Sequence, residues 1–317
     1  MIVTVTLNPS LDRTLVVDEL VPGAVLRTST PTLEPGGKGV NVSRALSANA
    51  IASIAVLPIG GGEGTELRRL LDDAGVHAQF VPVSGRTRSN ITIAQADGTV
   101  TKLNEPGFPL AADDLETLTR VLRTIVHAGD WVVISGSVPP DFGAHQFEAL
   151  ITALTALDVC IAIDTSGDAL VASLAARPRL IKPNRDELAE LVGRPVASIA
   201  DAIAAAEEVR TRGVEIVLVS LGADGAVLVS GQGSLVGESH VAEPRSAVGA
   251  GDSFLAGFLV KFAEDERDLG AALLEALAWG AAAASLPGSA VPGPSDIDHT
   301  NVQLVWQPDL DRPLLAS

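Results

Sequence analysis

The stretch SAVGAGDSFLAGF, residues 246–258, sets one aspartate, Asp252, directly behind Gly249, Ala250 and Gly251 and ahead of an apolar run. Residues with almost no side chain let backbone come close to a ligand. Phe254, Leu255, Phe258 and Leu259 share one helical face, which predicts a helix starting there. A helix N-terminus carries unpaired N–H groups and partial positive charge, both suited to an anion. The segment reads as an anion cradle with an acid or base beside it. Taken alone, it also suits a glycine-rich turn with Asp252 as an ordinary N-cap.

A second constellation is KPNRDE, residues 182–187. Asn184 and Glu187 stand three apart at a helix start, hence on one face. Such a pair can hold Mg²⁺ through its waters. It can equally be an N-cap with Glu187 closing a capping box, and both readings can hold at once.

Other chemistries fail on spacing. Lys38 in GGKG is followed by Gly39 rather than Ser or Thr, so no P-loop is present, and no G-x-G-x-x-G follows a strand. No G-x-S-x-G exists. His77, His127, His145, His240 and His299 are scattered, and the single cysteine excludes a Cys-based zinc cluster. Phosphoryl transfer remains. It needs positioning, charge neutralisation and a carboxylate near the attacking hydroxyl. Residues 249–251 can cradle the transferring group while Asp252 takes the hydroxyl proton.

The elements that must position these residues alternate. IVTVTL, IASIAVL, WVVISG, VCIAID, RLIKP and EIVLVS read as buried strands, and residues 40–49, 63–74, 113–127, 144–156 and 201–212 as helices. That rhythm predicts an α/β fold, a mostly parallel sheet flanked by helices. RTLVVDEL…VLRTSTPTLE and SNITIAQADGTVTKLNE break it with a period of two and a hairpin-like Asp97-Gly98. They predict a small separate sheet, a lid, inserted at about 13–35 and 86–105 into one domain spanning 1–317. The tail after Pro292 reads as loosely packed. Ligands in such a sheet bind beyond the carboxyl ends of the strands. NPSLD, SGSVPP, DTSG, KPNRDE and SLGADG all follow strands, so a cleft should form there with Asp252 at its floor.

These pieces resemble the ribokinase-like carbohydrate kinases, the PfkB family. TLNPSLD, PGGKGVNVSRAL, TRSN, ISGSVPP, IDTSG, LIKPNRDEL, VSLGADGA and VGAGDSFLAGF occur in the family's order at family-like spacing over nearly the whole chain. The resemblance implies a ribokinase-like three-layer fold and ATP-dependent phosphorylation of a sugar or sugar phosphate, with Mg²⁺. It implies Asp252 as base and Gly249, Ala250 and Gly251 as anion hole. Lys182, Asn184 and Glu187 match the nucleotide and magnesium side, and Ser220, Gly222 and Gly225 the ATP turn. Asp12, Gly36, Gly37 and Asn41 match sugar contacts, with Asn90 of TRSN and Ser137 of ISGSVPP in the substrate set. A homodimer through the small sheet is implied by resemblance only.

The cations narrow the substrate. Lys38 in the sugar loop and Arg88 in GRTRSN suggest a phosphate already on the sugar. Within the family the match is nearest the kinases of fructose 1-phosphate. A tagatose 6-phosphate kinase shares GGKG, and the 6-phosphofructokinase branch typically has Gly where Lys38 stands. Ala247 stands where the family often has Thr and Ser246 where ribokinases carry Asp, which weighs against a ribokinase-style potassium site, and Thr92 stands where kinases of fructose 1-phosphate often have Lys. A nucleoside kinase would want aromatic stacking, and the chain has no Tyr. A non-catalytic sugar-phosphate-binding regulator should have lost the base or the ATP turn.

Composition agrees. A net charge of −17 excludes a nucleic-acid or anionic-membrane surface, which would need basic patches. Aromatics at 3% leave the core to Ala, Val and Leu. Cys160 reads as a buried strand thiol, and the N-terminus as a strand without a leader's basic region, so a reducing cytoplasm fits. GAALLEALAWGAAAASLPGSA reads as a buried Ala-rich helix rather than a membrane span.

Overall fold

The structure, a computed structural model, describes residues 1–28 and 30–315. Ser29, inside the first stretch assigned to the small sheet, and residues 316–317 lie outside the described residues. In chain order the elements begin with β1 (Ile2–Val5), β2 (Ser10–Val17), β3 (Thr32–Gly36), α1 (Lys38–Ala48), β4 (Ser53–Ile59), α2 (Gly61–Asp73) and β5 (Ala78–Pro82). There follow β6 (Arg88–Gln95), β7 (Val100–Asn104), α3 (Ala112–Ile125), β8 (Trp131–Ser135), α4 (Ala144–Thr155), β9 (Cys160–Asp164), α5 (Gly167–Ser173) and β10 (Leu180–Ile181). The chain continues through α6 (Arg185–Val192), α7 (Ile199–Thr211), β11 (Ile216–Ser220), β12 (Ala226–Ser230), β13 (Gly233–Ser239), α8 (Ala250–Glu264), α9 (Leu269–Ala284) and β14 (Val302–Leu304).

Ten strands form one sheet in the order β14-β13-β12-β11-β10-β9-β8-β1-β4-β5. Pairing is parallel from β11 to β5 and antiparallel from β11 to β14. The side-chain period of two feeds two apolar layers. Val132 and Ile134, Ile161 and Ile163, Val217 and Val219 face α3 to α7. Trp131 and Val133, Ala162, Ile216 and Leu218 face α1, α8 and α9. Helices therefore cover both faces, the three-layer arrangement that alternating strand and helix patterns predict. The Ala-rich stretch is α9, buried beside α8, and no described helix is long and apolar enough to cross a membrane.

The small sheet runs β3-β2-β6-β7, with β2 and β6 parallel. Its hairpin turns at Gly98, where φ of +88° requires the glycine. Register sets Asp12 opposite both Glu34 and Asn90.

Three expectations need correction. The tail does not pack loosely. Val302–Leu304 pairs with β13 as the sheet edge, Pro313 bridges Ser198, and Arg312 meets Asp224 at 2.9 Å. Strands β5, β12 and β13 lie outside the strands that the sequence predicts; Gln and Pro in β5 and Gly, Ser and Glu in β13 blur the apolar signal, whereas β12, AVLVS, is a plain buried apolar run. Cys160 is in a strand but only half-buried, with Arg179 Nη1 3.1 Å from its sulfur.

Candidate active site

Helix α8 starts where the sequence placed it, but its N-cap is Gly249, with φ of +78°. Asp252 is therefore not the cap. It stands at the third helical position, 6% exposed. Its Oδ2 accepts a 2.8 Å hydrogen bond from Asn41 Nδ2 of α1. The apolar residues behind it, Phe254, Leu255, Phe258 and Leu259, are buried and fix the helix against α1 and α9. Burial pushes the Asp252 carboxyl up to about 6, helped by the negative charge of Asp164 and opposed by the Asn41 bond and by Lys38 and Lys182.

Asp164, the last residue of β9, is fully buried. Its Oδ1 accepts from Lys38 Nζ at 2.8 Å, and its Oδ2 lies 3.3 Å from Lys182 Nζ. Burial alone would neutralise this carboxyl. Lys182 and Lys38 outweigh burial and hold it below its ordinary value. Burial also works against the Lys38 ammonium, but Asp164 and Glu187 outweigh it and hold that group above its ordinary value. Lys182 reaches the cradle: a Cβ on Gly251 would sit 3.5 Å from its ammonium. The start of α8 thus combines its first-turn N–H groups, a glycine backbone and one buried cation.

Asn184 and Glu187 form the capping box of α6. Asn184 Oδ1 accepts from Glu187 N–H and Glu187 Oε2 from Asn184 N–H, both at 2.8 Å. The other Glu187 oxygen faces Lys38 Nζ at 3.4 Å. Asn184 also bridges Ser220 by backbone, so KPN and the Ser220–Gly222–Gly225 turn are adjacent. Gly225 has no room for a side chain, since a Cβ would lie 2.1 Å from Gly237 O.

The residues expected to meet the sugar form a third group. Asn90 Nδ2 donates to Asp12 Oδ1 at 2.9 Å and to Ser10 Oγ at 3.0 Å. A Cβ on Gly36 would lie 2.4 Å from Asp12, so only glycine leaves that carboxylate its place. Gly37, with φ of +118°, caps α1. Arg88 donates to Asn8 O at 3.2 Å, Glu105 O at 3.1 Å and Ser137 Oγ at 3.2 Å. All are neutral oxygens. Burial lowers the Arg88 pKa, opposed by Asp12.

A family model described as pfkB family carbohydrate kinase matches residues 5–291. The chain belongs to the PfkB family of carbohydrate kinases. It is 38% identical over 311 residues to the 1-phosphofructokinase of Haloferax volcanii, covering 96% of this chain and 98% of that one. It is 35% identical over 262 residues to the 1-phosphofructokinase of Escherichia coli K12, covering 81% and 83%. Among solved structures, Escherichia coli phosphofructokinase-2 in complex with fructose-6-phosphate superposes with a TM-score of 0.85 at 33% identity, covering 93% and 96%. As a PfkB kinase the chain takes its phosphoryl group from ATP, and the large sheet with the separate four-stranded sheet is the ribokinase-like fold.

Within this PfkB kinase the sequence-predicted residues fall into one region but not one cluster. Asp252, Asn41, Gly251 and Lys182 converge, and Asp12, Asn90, Arg88 and Ser137 group on the small sheet and the loop after β8. Lys38, expected on the sugar's phosphate, has its ammonium against Asp164 and Glu187, the latter in the capping box of α6. Asp164 and Asn8 are not among the sequence-predicted residues, although a carboxylate ending an apolar strand, as in IDTSG, is a signal for the first. A groove of about 490 Å³ between α2 and β5, lined by Thr65, Arg68 and Phe80, involves none of these residues.

Proposed function

We propose that the chain transfers the γ-phosphoryl group of ATP to the free primary hydroxyl of D-fructose 1-phosphate, giving fructose 1,6-bisphosphate and ADP. The observation that carries the reading is Asp252: a buried carboxylate with its pKa near 6, behind the glycine start of a helix and beside two lysines. Such a group is ionised at neutral pH yet basic enough to take a proton. Asp252 takes the hydroxyl proton, the hydroxyl oxygen attacks the γ-phosphorus, and the β–γ bridging oxygen leaves with ADP. The α8 N-terminus and Lys182 stabilise charge on the transferring group, and Ser220, Gly222 and Gly225 hold the nucleotide.

Magnesium fits the same side. Among the described residues no group of three or more Asp, Glu, His or Cys side chains is placed to hold a metal ion. Mg²⁺ in kinases keeps waters and rides on phosphates beside one or two carboxylates. Glu187 and Asn184 are the residues that would hold its waters. Bound there, it would neutralise phosphate charge.

Arg88 supports a phosphorylated acceptor. It is a half-buried guanidinium with no carboxylate within ion-pair distance among the described residues, in a chain of net charge −17. Asp12, Asn90 and Asn41 are assigned to the sugar hydroxyls. A second reading, fructose 6-phosphate as acceptor, is favoured by the fold similarity to phosphofructokinase-2 in complex with that sugar phosphate. Exposed Val16, Val100 and Leu103 on the small sheet fit a second copy of the chain across it, which sedimentation equilibrium would test.

The deciding experiment compares kcat/KM for fructose 1-phosphate, fructose 6-phosphate, tagatose 6-phosphate and ribose with Mg-ATP, in wild type and Asp252→Asn. Fructose 1-phosphate should lead, and Asp252→Asn should lose about 10²–10⁴-fold in kcat while still binding ATP. Near-wild-type turnover of the variant, or a lead by ribose, would defeat the reading.

A further inference from the structure

Asn41 holds the carboxylate of Asp252, but an amide can turn over and present its oxygen instead. What stops it is Arg44, one turn along α1. Arg44 Nη1 donates to Asn41 Oδ1 at 3.2 Å, to Ser289 O at 3.1 Å and to Ser289 Oγ at 3.4 Å. Its Nη2 lies 4.0 Å from Glu34 Oε1, and Ser289 Oγ donates to that same oxygen at 2.8 Å. The guanidinium can only donate and the Asp252 carboxylate can only accept. Asn41 therefore has one satisfying orientation: oxygen to Arg44, nitrogen to Asp252.

We infer that Arg44 is a positioning residue for the reaction, locking the Asn41 amide so that its N–H holds Asp252 as a carboxylate. The inference rests on Asp252 being the base. Arg44 itself sits behind Asn41, with a side chain only 12% exposed. Burial lowers its pKa, and Glu34, Asp12 and Asp252 work against burial. Those three are the acids that face it, from β3, β2 and α8. Arg44 thus ties the base on α8 to the small sheet, which carries Glu34 opposite Asp12.

The direction of the effect follows. With Arg44 removed the amide is free to turn. Asp252 then loses a bond that favours its ionised form and gains an oxygen that disfavours it. Its pKa rises above the value near 6. The acid limb of kcat/KM should move to higher pH by roughly one unit in Arg44→Met, which keeps the apolar stem and removes the donors. Activity should fall about fivefold at pH 6 and recover most of the way by pH 8. A purely structural role would lower kcat by the same factor at every pH.

The experiment is the pH profile of kcat/KM from pH 5 to 9 with Mg-ATP and fructose 1-phosphate, for wild type, Arg44→Met and Arg44→Lys, with melting curves beside it. If Arg44→Met does not fold, Arg44→Lys decides. Its cation still balances Glu34, but a single ammonium on a shorter reach cannot reproduce the in-plane guanidinium bonds. The limb should then move the same way by less. An acid limb unmoved in the folded variants, or a pH-independent loss, overturns the inference. Asp252→Asn separates this from failure of the base itself: if that variant turns over normally, the base reading falls first, and if it is dead while the Arg44 limb stays put, only the positioning role falls.

Discussion

Asp164→Asn removes a charge while keeping shape. In the protein the Asp164 carboxylate is fully buried between Lys38 at 2.8 Å and Lys182 at 3.3 Å, and Lys182 is itself only 3% exposed. Lys38 retains Glu187 at 3.4 Å, but Lys182 loses the one carboxylate within ion-pair distance among the described residues. Breaking a buried pair from one side costs about 3–5 kcal/mol, because the stranded charge stays desolvated. For a chain of this size the melting temperature should fall by about 5–8 °C. The second consequence concerns Asp252. After burial, the charge of Asp164 is the next cause that raises its pKa, while the Asn41 bond, Lys38 and Lys182 lower it. Without Asp164 the lysines act unopposed, so the acid limb of kcat/KM should move down from near pH 6 by about one unit. Turnover at pH 7.5 should still fall, by about 10- to 100-fold, since two cations lose their anchor and small displacements at a reacting centre are costly. Urea unfolding and a pH–rate profile measure both. Wild-type stability, or a limb that stays put or moves up, would refute the clamp. Arg44→Met and Asp164→Asn act on opposite sides of one carboxylate and should shift its titration in opposite directions, which general destabilisation cannot do.

Glu187→Gln should keep the α6 cap, because the amide oxygen still accepts from Asn184 N–H, yet raise the Mg²⁺ concentration for half-maximal activity several-fold. A magnesium titration superimposable on wild type would leave Glu187 as a cap alone. Arg88→Met should raise the KM for fructose 1-phosphate roughly 10- to 100-fold, from a charge-assisted contact of about 1.5–3 kcal/mol, and leave the ATP KM within about twofold. Lys38→Met is the contrast: with its ammonium on Asp164 and Glu187, its effect should fall on kcat and the ATP KM at least as much as on the sugar. Equal sugar-selective losses in both variants would contradict the observed separation of the two cations.

Much of the fold was legible because burial on both faces makes parallel strands read as apolar runs. IVTVTL, WVVISG and EIVLVS needed only their length and β-branched content to be found. The antiparallel edge was hidden by the opposite circumstance. β13 is a half-exposed strand, GSLVGES, and β14 is three residues long in a segment rich in Pro and Asp. Such strands are fixed by the neighbour that pairs with them, and that neighbour lies over 60 positions away for β14.

The site was legible where function needs a backbone shape and obscure where it needs a charge balance. Gly36, Gly37, Gly249 and Gly225 announce themselves because no other residue fits a close approach or a positive φ. A lysine announces only that it is charged. Lys38 and Arg88 look alike in sequence, two cations near sugar-binding motifs in an acidic chain. What separates them is Asp164, 126 positions beyond Lys38, whose buried carboxylate captures one and not the other. A buried acid between two cations is stable only when all of them are present. On the proposed function, the cation left without a carboxylate, Arg88, is then the one whose charge a bound phosphate would complete, while Lys38 and Lys182 supply the positive field that favours Asp252 as a carboxylate.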